Sequence, residues 1–169
     1  MKPEPIGVAL RAYVPPRKLK KQSYDTVREN RPVLVIDTET TEDEYQNLIF
    51  GSCGIWVSGY LHRFVLFYLP NLQKKRVDML IKYSKLQEAQ GKRIEVMSLP
   101  EFVEKVFFPW VVENQALCVG FNLPFDLSRL AIRYGYGRGK WKNGFTFRLS
   151  DEYPRVRIRS LDSVRSFIG

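Results

Sequence analysis

One stretch constrains the chain more than any other: Val33-Leu34-Val35-Ile36-Asp37-Thr38-Glu39-Thr40. Its uninterrupted apolar run reads as a strand buried on both faces of a sheet. The run ends in two carboxylates. Side chains alternate along a strand, so Asp37 and Glu39, at i and i+2, leave from the same face. A hydrophobic strand that delivers two acids to its own tip needs cations to offset their desolvation and mutual repulsion. Oxygen donors of this kind suit a divalent ion such as magnesium or manganese. The same residues also suit the start of a polar loop, since Glu42, Asp43 and Glu44 follow closely.

At 169 residues the chain supports one domain with a substantial core. The expected organisation is a basic, Pro-containing lead-in over 1–31 and a single domain over 32–169. Pro3, Pro5, Pro15 and Pro16 break up the lead-in, and Arg17, Lys18, Lys20 and Lys21 fit either a solvated tail or a phosphate contact. The net charge of +9 favours polyanionic partners, nucleic acid first. Cys53 and Cys118 sit in apolar, strand-like stretches with no Cys or His at zinc-ligand spacing, so buried thiols in a reducing compartment are expected. No run of 18 apolar residues and no signal-peptide block is present. The expectation is a soluble cytoplasmic protein that does not enter a membrane.

Beyond the first strand, 48–58 and 63–69 read as β-rich segments joined by a hairpin at Gly59-Tyr60-Leu61-His62. Residues 71–90 lack glycine and carry Val77, Leu80, Ile81 and Ser84 at helical spacing, with Gly91 as a stop. A second helix begins at Ser98, whose spacing to Glu101 matches a capping box. Leu99, Phe102, Val103, Val106 and Trp110 keep one face of it, and Pro109 should kink or end it. A short buried strand over 116–119 follows.

Gly120 then leads into Phe121-Asn122-Leu123-Pro124-Phe125-Asp126. Asn122 suits an N-cap and Pro124 is tolerated in a first helical turn. Leu127, Leu130, Ala131 and Tyr134 form an apolar stripe, with Gly135 as the stop. Asp126 is thereby expected in the first turn of a helix, where the dipole helps to keep it ionised. If the 116–119 strand lies parallel to the Asp37 strand, three carboxylates converge at one sheet edge. An ordinary helix-start acid is the alternative for Asp126.

The segment 135–165 carries eight Lys or Arg against three acids, with Tyr136, Trp141, Phe145, Phe147 and Tyr153 among them. In Arg155-Val156-Arg157-Ile158-Arg159 the alternation has period two, so the three arginines line one strand face. Such a row suits phosphates, with aromatic rings available to stack on bases. It also suits the charged outer face of an edge strand.

Asp37-Thr38-Glu39 at a strand end, with Asn122-Leu123-Pro124-Phe125-Asp126 after a later strand, resembles the DEDD superfamily of 3′-to-5′ exonucleases. The first is similar to that family's D-x-E motif. The second is similar to the Asn…Phe/Tyr-Asp motif of proofreading exonuclease domains in family B DNA polymerases. Gln46-Asn47-Leu48 and Phe125-Asp126-Leu127-Ser128-Arg129-Leu130 extend the likeness, which spans about 33–169. The resemblance implies an α/β, RNase H-like fold: a mixed sheet with three antiparallel opening strands, then parallel strands and flanking helices. It implies two-metal hydrolysis of a single-stranded 3′ end with Mg2+ or Mn2+. Asp37, Glu39 and Asp126 would be both catalytic residues and metal ligands, with Asp37 bridging the ions. Thr38 and Thr40 would lie by the terminal nucleotide, Asn122 and Phe125 would shape the strand's path, and Arg155, Arg157 and Arg159 would guide it further out.

One departure matters. The family's fourth acid stands four residues after a Tyr or His, and no such pair follows Asp126: Ile158 stands four before Asp162, and Arg157 four after Tyr153. The only histidine, His62, falls in the early hairpin, where a turn role is expected. The expectation is a fragment of a longer exonuclease, weak or inactive by itself. The alternative is a nucleic-acid-binding module that kept the fold without the chemistry.

Overall fold

The structure, a computed structural model, describes residues 31–160 and 166–168. The basic run at Arg17, Lys18, Lys20 and Lys21 lies outside the described residues, as does Asp162.

Three strands open the chain as an antiparallel meander: β1 (Val33–Thr40), β2 (Leu48–Val57) and β3 (Tyr60–Tyr68). The β2–β3 turn is tighter than expected. Ser58 and Gly59 both hold positive φ, 50° and 81°, as a two-residue turn matched to strand twist requires. Tyr60, Leu61 and His62 therefore belong to β3, and the exposed His62 ring meets Trp110 edge-on at 5.6 Å.

Helix α1 (Lys74–Glu88) stops where Gly91 takes φ 77°. It is followed by β4 (Glu95–Ser98), a strand not anticipated from the sequence, which pairs parallel with β3. Arg63 clamps the two together, donating to both Glu95 carboxylate oxygens at 2.9 and 2.8 Å. Ser98 then caps α2 (Leu99–Phe102), with Glu101 reaching back to it as the capping box predicts. Pro109 does not end this helix. The chain continues in π-helical turns, Val103–Phe107 and Pro109–Glu113, and the Pro109 carbonyl accepts both backbone and side-chain N–H groups of Asn114.

Strand β5 (Leu117–Val119) runs parallel to β1, giving a mixed five-stranded sheet in the order β4-β3-β2-β1-β5. Its inner face supplies Leu34, Ile36, Cys53, Ile55, Val65 and Phe67 to the core, against Phe102, Val103, Val106 and Phe107. Phe102 stacks on Phe67 with ring centroids 4.0 Å apart. The outer face corrects the expectation of a β1 buried on both sides. Val35 is 40% exposed, and Leu117 and Val119 of β5 are equally open. Helix α1 lies over the β3–β4 side of that face, and among the described residues nothing covers β1 and β5.

Helix α3 (Leu123–Arg129) is shorter than its apolar stripe suggested. Tyr134 and Gly135 do not extend it but enter β6 (Arg133–Tyr136), because this alternating segment pairs with β7 (Phe145–Arg148). With β8 (Val156–Ser160) and β9 (Ser166–Ile168) they form a second, wholly antiparallel sheet. Phe147, Leu149 and Ile158 carry it onto the same hydrophobic core. No helix among the described residues is long and apolar enough to cross a membrane.

Candidate active site at the end of β1

The β1 tip is built by three elements. Strand β1 brings Asp37 and Glu39 to the outer, open sheet face, where both are exposed. Strand β5 runs beside it, and Gly120 turns the chain sharply into α3. A Cβ at Gly120 would stand 3.1 Å from the Ile36 carbonyl oxygen and 3.2 Å from Asp126 Oδ2. A glycine here therefore lets the start of α3 settle against the end of β1.

Asp126 arrives from the buried side. It is 3% exposed, and its Oδ1 accepts a 2.7 Å hydrogen bond from the Thr38 hydroxyl. Thr38 points to the face opposite Asp37 and Glu39, as period two dictates. Burial pushes the Asp126 carboxyl above the ordinary carboxylate range, and the nearby Asp37 charge adds to this. The Thr38 hydroxyl and the backbone of Thr38 and Asn122 pull the other way. The expectation that the helix dipole keeps Asp126 ionised is therefore outweighed: desolvation is the larger effect. Asp126 Oδ2 is buried and has no hydrogen-bond partner among the described residues. An acceptor left in that state costs free energy unless a donor or cation reaches it.

The Asp37 charge thus acts on Asp126 across the end of β1, the one carboxylate open and the other enclosed. Among the described residues, no group of three or more His, Cys, Asp or Glu side chains is gathered closely enough to form a metal cage. The donor set still suits a hard cation in its chemistry, since every member is an oxygen and the Asp126 Oδ2 acceptor stands unpartnered.

The other expected site residues are distributed more widely. Thr40 ends β1 beside a register irregularity. Asn122 holds the N-cap position of α3 without a side-chain cap bond, and it is exposed. Phe125 is half-buried beneath the Arg129 guanidinium, 4.9 Å from the ring centroid. Arg155 precedes β8 and borders an apolar cavity that Phe107, Leu117 and Leu123 also line. Arg157 is exposed on β8, opposite Thr146, while Val156 and Ile158 point inward. Arg159 donates to the Lys140 carbonyl at 2.8 Å and so ties down the loop before β7.

Two contributors were not foreseen. Arg129, one turn beyond Asp126, donates to the Tyr45 and Gln46 carbonyls at 3.2 and 2.7 Å, tying α3 to the β1–β2 loop. That loop is itself shaped by Asp43, whose carboxylate accepts from Thr41 and from the Tyr45 and Gln46 backbones. A cation in a last helical turn ordinarily complements the dipole, so the sequence offers no signal for the latch. Both cysteines are free thiols; Cys53 is buried, Cys118 half-buried. Burial pushes both up, Cys118 to about 12, which leaves them inert at neutral pH. No protein-family model matches the chain, and neither a curated protein nor a solved structure does so.

Proposed function

We propose that this chain carries the RNase H-like fold and three of the acids of a metal-dependent 3′-to-5′ exonuclease acting on single-stranded nucleic acid in the cytoplasm. The observation that carries the reading is that Asp126, in the helix that follows β5, is hydrogen-bonded to Thr38 at the end of the parallel β1, within reach of the Asp37 charge, with its Oδ2 buried and unpartnered among the described residues. The strand order β3-β2-β1-β5, antiparallel through β1 and parallel thereafter, supports it by matching the pattern that the family resemblance implies.

Asp37, Glu39 and Asp126 are the proposed holders of Mg2+ or Mn2+. Bound divalent ions supply a Lewis acid for water activation and for charge on the leaving 3′ oxygen. The chain's own work is to fix the acids. Thr38 holds Asp126 Oδ1 and leaves the buried Oδ2 without a partner among the described residues, while β1 presents Asp37 and Glu39 toward solvent, where a strand end could approach.

The test is digestion of 3′-labelled single-stranded DNA and RNA with magnesium or manganese, beside Asp37→Ala and Asp126→Asn. Metal-dependent shortening from the 3′ end, lost in both variants, is the expected result. Equal shortening by the variants would sink the reading. A second reading, a binding module of the same fold without chemistry, is favoured by the absence of a third acid close to Asp37 and Asp126 among the described residues. It is also favoured by the lack of a Tyr or His four residues ahead of a late Asp in the sequence. It predicts salt-sensitive binding that no metal alters.

A further inference from the structure

The second sheet presents a surface that the proposed active site does not use. Tyr134 and Tyr136 of β6 are each 85% exposed, and Phe145, directly opposite Tyr136 on β7, is half exposed. The Tyr136 and Phe145 ring centroids lie 6.4 Å apart. Among the described residues strand β6 is the sheet edge, and one side of this aromatic cluster is open there. Three large rings at one edge are costly to leave in water unless something covers them.

The charge around them identifies what that is. The segment 131–149 holds Arg133, Arg138, Lys140, Lys142 and Arg148 and no acid. Three of these cations sit on the β6–β7 connection, which is a closed and internally bonded loop. Gly137 N–H donates to the Gly144 carbonyl at 2.8 Å, Lys142 N–H to Gly139 at 3.0 Å, and Arg159 braces the Lys140 carbonyl. A Cβ at Gly137 would lie 2.0 Å from the Trp141 carbonyl oxygen, so the loop closes that tightly only with glycine there. Its cations are presented from a fixed frame beside the rings.

From this juxtaposition we infer that the β6–β7 hairpin is a stacking platform for a single-stranded nucleic acid. Tyr134 and Tyr136 receive bases, and Arg138, Lys140 and Lys142 receive the backbone phosphates. Residues at i and i+2 on a strand stand about 7 Å apart, twice the roughly 3.4 Å layer spacing of stacked bases, so one base fits between the two rings. Ring stacking accepts any base, and the cations bind any phosphate. The platform therefore selects single strands over duplex rather than one sequence over another. It rests on the proposed function only in that its ligand belongs to the same class as that enzyme's substrate.

The test uses the full chain in chelator, so that no cleavage intervenes. Fluorescence anisotropy of labelled oligothymidylate, oligouridylate and a duplex is followed against salt. The wild type is expected to prefer both single strands over the duplex. Tyr134→Ala and Tyr136→Ala are each expected to weaken single-strand binding at least about fivefold, with the salt slope unchanged. Tyr136→Trp restores affinity. Lys140→Ala and Lys142→Ala instead lower the salt slope by about 0.7 each. Circular dichroism melts establish that every variant is folded. Tyrosine variants that bind like the wild type overturn the platform, as does a wild type that binds no single strand. Concentration-dependent self-association abolished by the same tyrosine variants also overturns it, by giving the rings to a second copy. Tyrosine-dependent binding without metal-dependent cleavage leaves the platform standing and removes the exonuclease reading. Metal-dependent cleavage together with binding that is indifferent to the tyrosines does the reverse.

Discussion

At the scale of single residues, Asp126 decides what the β1 tip can do. It is a buried carboxyl with one oxygen satisfied by Thr38 and the other by nothing among the described residues. Its folded-state pKa is raised, so the native state holds the proton more tightly than the unfolded chain. The stability this contributes is fully present below the unfolded value, about 3.9, and is lost as pH rises through the folded pKa. Asp126→Asn cannot ionise and keeps an acceptor for Thr38. In chelated buffer, urea midpoints of this variant are expected to gain on the wild type as pH rises from the unfolded pKa, then level off. A gap that narrows with rising pH would contradict the assignment. Thr38→Val in the wild type removes the donor to Asp126 Oδ1 and is expected to cost about 1–3 kcal/mol, read from urea midpoints.

At the scale of elements, the approach of α3 to β1 depends on Gly120. An alanine there sets a methyl group 3.1 Å from a backbone carbonyl of β1 and 3.2 Å from Leu123 Cδ1. The Ile36 carbonyl belongs to a packed strand and yields little, so α3 must tilt away at a cost of about 1–3 kcal/mol. Thermal denaturation of Gly120→Ala is expected to show a melting temperature lower by about 2–4 °C for each kcal/mol. An unchanged melt would mean that α3 packs less tightly than the distances indicate. Element identity was largely legible in the sequence where period and punctuation agreed. The β1 run, the Ser98 capping box and a strand over 116–119 were all readable, while the parallel pairing of that strand with β1 and the exposure of its Leu117 and Val119 were not. Strand β4 was missed because four residues between Gly91 and Ser98 show little pattern, and its place depends on the Arg63–Glu95 clamp with a distant strand. Tyr134 fits a helical stripe and a strand equally well, and only pairing with β7 decides between them. The site was legible as a set of acids, but not as an arrangement. A D-x-E pattern gives the shared face of Asp37 and Glu39, and says nothing of a threonine between them that turns inward to hold Asp126.

At the scale of the whole molecule, one hydrophobic core is shared by two sheets, while the first sheet keeps part of its other face open. An apolar run predicts burial on both sides, but what covers a strand is set by which elements pack there. Helix α1 lies over β3 and β4, leaving Val35, Leu117 and Val119 exposed among the described residues, with the exposed Trp56 paired opposite Val33 on the neighbouring strand. Adjacent residues of one strand should therefore respond oppositely to the same chemical change. Leu34→Thr places a hydroxyl in the core and leaves it without a partner, which is expected to cost about 1–3 kcal/mol beyond the lost packing. Val35→Thr, combined with Val119→Thr, removes apolar surface that water already reaches. The double variant is expected to melt within about 4 °C of the wild type, since two exposed substitutions at about ±0.5 kcal/mol each sum to at most about 1 kcal/mol. It should also bind less of a fluorescent hydrophobic dye, because the contiguous patch is broken. A Val35→Thr, Val119→Thr protein that melts as low as Leu34→Thr would show that this face is covered in solution. Its burial would then have to come from residues outside those described, or from a second copy, which sedimentation at two concentrations distinguishes.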